Sequence, residues 1–131
     1  MPLAYLTRIV EFTAGHRFPD TPEFAGATRD HTHRYRCEVT VKGQFDPARG
    51  GVWGLNELKA LLQREIVAPL DGKHINDHVA AFGDRGWVAT GEAVAVYLWN
   101  RLAPGLPAGV TLHRIRVQES DRLFSEYYGE E

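Results

Sequence analysis

Two long extended runs precede the first helical stretch, and two shorter ones follow the last, an order that restricts the available architectures more than any other feature of the chain. From Leu3 to Phe12, residues Tyr5, Thr7, Ile9 and Glu11 share one face of a strand and Leu6, Arg8, Val10 and Phe12 the other. The alternation is mixed, so cover on both sides is expected. Residues 18–30 are rich in Pro, Gly, Thr and Asp and read as a loop. A second strand runs from about His31 to Phe45, and Asp46-Pro47-Ala48-Arg49-Gly50-Gly51 turns the chain. Asn56 is the expected N-cap of a first helix, with Leu55, Leu58, Leu62 and Ile66 as its apolar stripe, Leu61 widening it and Pro69 ending it. Residues 70–88 read as irregular, with glycines at Gly72, Gly83 and Gly86. Thr90 caps a second helix whose apolar face is Ala93, Val94, Tyr97, Leu98 and Leu102, and Pro104-Gly105-Leu106-Pro107 stops it. Strands at 110–117 and 123–128 complete the chain. No strand alternates with a helix, so the expected fold is α+β: an antiparallel four-stranded sheet, ββααββ, with two helices on one face. The two edges of such a sheet are exposed in a monomer, and an oligomer would bury them.

Composition narrows the function classes. With 131 residues, 44% of them hydrophobic and 24% charged, the chain suits a single globular domain spanning residues 1–131. A net charge of -2 with scattered basic residues gives no footprint for nucleic acid. No apolar run reaches membrane-spanning length, and the N-terminus has no signal-peptide pattern. Cys37 is the only cysteine, so no intrachain disulfide forms, and a reducing, cytoplasmic home is the expectation. Cys37 itself, on the second strand, reads as a small buried apolar residue. Trp53, Trp87 and Trp99 read as packing or interface residues, and His113 as a strand residue that holds no metal.

His31-Thr32-His33 opens the second strand. Residues two apart on a strand point to the same face, roughly 6–7 Å apart, so both imidazoles can converge on one ion. Zinc takes such nitrogens at about 2.0–2.1 Å and needs a third ligand, for which His16 is the candidate.

Taken together, Phe12-x-Ala14-x-His16, His31-x-His33-x-Tyr35, Leu70-Asp71, Ile75-Asn76, Thr90-x-Glu92, Tyr97-x-Trp99 and Val117-x-Glu119 resemble the 6-pyruvoyl-tetrahydropterin synthases and the 6-carboxy-tetrahydropterin synthases of queuosine biosynthesis. The likeness covers nearly the whole chain. It implies the T-fold, whose protomers join edge to edge into a barrel, and a homohexamer of two stacked trimers with active sites between protomers. It implies a zinc-dependent carbon–oxygen lyase acting on a pterin. It assigns the zinc to His16, His31 and His33, the pterin anchor to Glu119, and a second pterin-contacting segment to Thr90, Gly91 and Glu92. A carboxylate suits the anchor, because pterin offers an amino group and a ring N–H side by side.

The chain departs from that pattern where protons are moved. The family's cysteine, four residues before the first His of H-x-H, is Ala27 here, and the histidine after Leu-Asp is Gly72. Only Asp71 of that triad remains. A methyl group and a hydrogen carry no protons, so the standard synthase reaction is not expected. Thr32 also replaces a usual Gly, and Gly54-Leu55 a usual Asp-Phe. His74, two residues past the lost histidine, and Asp71 are the candidate bases for a diverged chemistry on the pterin side chain. The alternatives are a pterin- or purine-binding protein without turnover, in which the three histidines line a polar pocket if no ion is held, and a zinc-dependent synthase whose triad is rebuilt.

Overall fold

The computed structural model describes residues 2–131. β1 (Leu3–His16) and β2 (His31–Gln44) pair antiparallel over their whole length, from Leu3 opposite Gln44 to His16 opposite His31. β4 (Val110–Ser120) pairs with the other side of β2, and β5 (Leu123–Tyr127) forms the far edge. The expected four-stranded antiparallel sheet is thus present, with one correction. A two-residue strand, β3 (Lys73–His74), adds to β1 in parallel, and the order is β3-β1-β2-β4-β5. It forms because the returning chain is fastened to β1: Gly72 N–H donates to the Thr13 carbonyl at 2.7 Å, and Thr13 N–H donates to Asp71 Oδ1 at 2.9 Å.

The first helix, α1 (Leu55–Leu62), starts two residues earlier than expected: Gly54 takes the extended N-cap conformation and Asn56 lies inside. Nor does Pro69 end it. The helix passes through a π-helical turn, Gln63–Val67, into α2 (Ala68–Leu70), with Pro69 in that element's first turn. Proline lacks the N–H that would bond four residues back. The Glu65 carbonyl left over accepts instead from Arg101 Nε at 3.1 Å. The irregular stretch holds α3 (Ile75–His78) and a 3₁₀ turn at Ala80–Phe82. α4 (Gly91–Leu102) begins as expected, with Thr90 Oγ1 accepting from Ala93 N–H at 3.2 Å.

The helices cover one sheet face. Leu58, Leu62 and Ile66 from the first helix and Val94, Leu98 and Leu102 from α4 pack on Phe12, Tyr35, Val39, Ile115 and Val117, all buried. Cys37 lies in the same core, and burial pushes its thiol up to about 12. The opposite sheet face is polar, with Arg114 bridging Glu38 and Glu126 and Arg34 pairing with Glu11. Leu3, Tyr5 and Ile9 are exposed on β1, which β3 flanks only at Ala14 and Gly15, and Leu123 and Phe124 are exposed on the edge strand β5. No helix among the described residues is long and apolar enough to cross a membrane.

Candidate metal centre and ligand pocket

The β1–β2 register builds the histidine cluster. His16 stands opposite His31, and Ala14 opposite His33, so the three imidazoles meet at one end of the helix-covered face. Their ring centroids are 4.4 Å (His16–His31), 5.0 Å (His16–His33) and 5.1 Å (His31–His33) apart. One nitrogen from each lies within 4.8 Å of the other two. The backbone sets the tautomers. His16 Nδ1 is 2.8 Å from the Ala89 carbonyl and His31 Nδ1 is 2.8 Å from the Arg29 carbonyl. A carbonyl only accepts, so each Nδ1 carries the proton and each Nε2 keeps a lone pair. His16 Nε2 is buried with no hydrogen-bond partner among the described residues. Burial lowers the His16 pKa to about 4, with the neighbouring His31 and His33 adding to the effect, and burial also lowers that of His33. His16 and His31 with Nδ1 held by backbone carbonyls, the orphaned Nε2 of His16, and His33 beside them are a donor set that fits a divalent ion such as zinc.

The cluster has an aromatic surround. Phe18 meets His16 edge-on at 4.7 Å and His31 at 5.8 Å, and Phe24 stacks on Phe18 at 4.8 Å. Behind His16, the Tyr35 hydroxyl lies 3.3 Å from Nδ1, and its ring stacks on Phe12 at 5.0 Å. Burial raises the Tyr35 pKa, so the phenol stays protonated.

Glu119, near the end of β4, reaches the same place. Its side chain is 6% exposed, and Oε2 is 4.0 Å from His33 Nε2, beyond hydrogen-bond reach. It accepts no hydrogen bond from the described residues. Burial, and then the nearby Glu92, raise its pKa above the ordinary carboxylate range. No donor of the described residues is spent on it, which leaves both oxygens available to a ligand's N–H groups. The start of α4 closes over it. A Cβ on Gly91 would stand 2.8 Å from Glu119 Oε1 and 2.7 Å from Ser125 Oγ, so any larger residue here would have to displace those side chains. Ser125 Oγ in turn donates to Glu92 Oε1 at 3.4 Å. The Thr90 hydroxyl is occupied by the helix cap, while its neighbour Ala89 holds His16.

The two candidate bases lie elsewhere. His74 pairs with Gly15 in parallel register, on the face of β1 opposite the histidine cluster, and its Cδ2 is 3.2 Å from where a Gly15 Cβ would be. Its Nε2 is 3.1 Å from Asp30 Oδ1, and its Nδ1 is 3.5 Å from Asp77 Oδ2. Arg17 bridges the same two carboxylates, and holds Asp30 and Asp77 below the usual carboxylate range. Asp71 is used as the acceptor for Thr13 N–H. Ala27 sits in the loop after the turn at Pro22–Phe24, and Gly72 has a left-handed φ of +75°. Sequence reading named His16, His31, His33 and Glu119, which the structure brings together. It missed Ala89, Phe18 and Ser125, whose roles come from contacts distant in sequence. Only Phe18, an aromatic beside His16, offered a local hint.

Residues 5–130 match the family model described as 6-pyruvoyl tetrahydropterin synthase. The 6-pyruvoyl tetrahydrobiopterin synthase of Poecilia reticulata is 36% identical, over 98% of this chain and 92% of the relative. The Homo sapiens protein of the same name is also 36% identical, over 97% of this chain and 92% of its own length. Among solved structures, 6-pyruvoyl tetrahydropterin synthase of Caenorhabditis elegans superposes with a TM-score of 0.89 at 25% identity, covering 99% of this chain and 98% of that one. The fold is the T-fold of those proteins, and the chain belongs to the 6-pyruvoyl tetrahydropterin synthase family.

Proposed function

We propose that this chain binds a pterin beside a zinc ion and has lost the standard synthase turnover of its family. The observation that carries the reading is the convergence of three imidazoles on one point, two of them oriented by backbone carbonyls, with the Glu119 carboxylate 4.0 Å from His33. His16, His31 and His33 would hold the metal through one nitrogen each. Bound there, zinc would polarise an oxygen of the pterin side chain and lower the pKa of an adjacent hydroxyl. Glu119 accepts from the amino group and ring N–H of the heterocycle. Gly91 lets the helix start lie against that ring, and Glu92 adds a second acceptor. Phe18 and Phe24 keep water from the His31 side.

What the pocket lacks is a group to move protons. Ala27 and Gly72 have none, Asp71 braces β1, and His74 is turned to the other sheet face of its own protomer. A second reading, turnover by diverged chemistry, is favoured by the 3.1 Å contact of His74 with Asp30, which gives an imidazole a carboxylate to orient it. In that case His74 serves a neighbouring protomer's pocket, in a homohexamer built by edge-to-edge pairing of the exposed outer strands. A cytoplasmic protein with lyase ancestry fits both readings.

The test is turnover of dihydroneopterin triphosphate by metal-replete protein. The expected result is tight pterin binding with product formed several orders of magnitude more slowly than by an intact triad. Adding Ala27→Cys and Gly72→His together should raise the rate more than either alone. Full turnover by the wild type, abolished by His74→Ala, would overturn the loss of synthase turnover and establish a zinc-dependent synthase with a rebuilt triad; a different product from the same pterin would establish the second reading.

A further inference from the structure

Ser125 is assigned no role by the family resemblance, yet it sits where the two acidic residues of the pocket approach each other. β5 pairs Ser125 with Val117, which puts its side chain on the helix-covered face, the face of Glu119 two residues further along β4. It is half-buried between exposed Phe124 and Glu126. Its hydroxyl donates to Glu92 Oε1 at 3.4 Å. The spot a Cβ of Gly91 would fill is 2.7 Å from that hydroxyl and 2.8 Å from Glu119 Oε1. One small hydroxyl therefore lies beside both carboxylates, under the first turn of α4.

Left alone, Glu92 is an exposed side chain at a helix start, free to sample several rotamers. It also carries the same charge as Glu119, and like charges prefer to separate. A hydroxyl has one proton and can hold one of the two. Given to Glu92, that proton fixes the carboxylate next to Glu119 and leaves the lone pairs of both aimed at the pocket. Two acceptors held side by side suit a ligand edge with consecutive N–H donors. They repel one that offers carbonyl oxygens there.

We infer that Ser125 is a positioning residue for heterocycle recognition: it locks Glu92 beside Glu119, so that the pair reads an amino-bearing ring edge in preference to its oxo counterpart. This rests on the assignment of the Glu119 pocket to pterin. The role is carried out through Glu92, and the metal ligands are not involved.

The experiment is a fluorescence titration of pterin, with lumazine, its oxo analogue, as the comparison ligand. It uses wild type, Ser125→Ala, Ser125→Thr, Glu92→Ala and the double variant Ser125→Ala/Glu92→Ala, all metal-loaded. Ser125→Ala should weaken pterin binding about tenfold and leave lumazine nearly unchanged, the size expected for one hydrogen bond to a charged group. Ser125→Thr should restore most of the affinity, and zinc affinity should be the same in every variant. In the Glu92→Ala background the serine change should cost nothing further, because its partner is gone. Equal pterin affinity in wild type and Ser125→Ala would overturn the inference while leaving the pterin site standing. So would an undiminished tenfold loss in the Glu92→Ala background, which would mark Ser125 as mere packing. Absence of pterin binding by the wild type would overturn both the inference and the reading of the pocket.

Discussion

His16 does two jobs with one ring: Nδ1–H is tied to Ala89, and the buried Nε2 has no partner among the described residues. This makes the metal-free protein sensitive to acid in a definite direction. The folded pKa of about 4 lies below the ordinary 6.5, so the unfolded chain binds the proton first as pH falls. The group costs nothing above pH 6.5, and its penalty grows between 6.5 and about 4 and then levels off. The full effect is on the order of 3 kcal/mol. Glu119, with its raised pKa, pulls the other way, and a His16→Gln variant keeps that opposing contribution. Denaturant unfolding of chelator-treated protein should therefore show a larger acid loss for wild type than for His16→Gln; parallel profiles would mean His16 is not buried as a neutral ring. Not all of the residue-scale picture could be read in advance. His31 and His33 were legible because a period of two on a strand puts them together whatever the rest does. The carbonyl of Ala89 and the hydroxyl of Ser125 were not, since each meets its partner only after distant segments pack.

At the scale of elements, long strands and helices follow their periodicity, and the misjudged ends have tertiary causes. The alternation in β1 is broken at Thr13-Ala14-Gly15, yet the strand continues to His16 because β2 supplies partners as far as His31. Lys73–His74 is too short to carry any period, and is a strand only because Asp71 and Gly72 are fastened to Thr13. Pro69 looked like a stop, but Arg101 takes up the carbonyl its ring leaves bare. The same local structure explains why the lost triad cannot be restored freely. Gly72 has φ +75°, a conformation that side-chain-bearing residues enter at a cost, although no heavy atom lies within 4 Å of the added Cβ. Gly72→His should therefore destabilise the protein by about 1 kcal/mol from backbone strain alone. Thermal unfolding against Gly72→Asn, a residue that tolerates this region better, checks it: the asparagine variant should be the more stable, and the reverse order would remove the strain argument.

At the scale of the whole molecule, a five-stranded sheet buries one face under helices and leaves two unfinished edges: β5, and the part of β1 that the short β3 does not reach. Ile9 on β1 is 42% exposed and Leu123 on β5 is 54% exposed, which suits pairing with another copy better than contact with water. If strand pairing between copies completes the pocket, Leu123→Lys should shift sedimentation from the proposed hexamer toward smaller species and weaken pterin binding with it. A dissociated protein that keeps full affinity would place the whole pocket within one chain. Beneath all of this is one claim: the carboxylate of Glu119 and the three histidines form a surviving pterin and metal site. The most direct measurement is calorimetric titration of pterin into wild type and Glu119→Gln, with zinc content determined on the same samples. The expected outcome is one zinc per chain in both proteins and pterin binding roughly 10–100-fold weaker in the variant, the loss of a charged acceptor. Equal pterin affinity in the two, or zinc-replete protein that retains no metal, would contradict it.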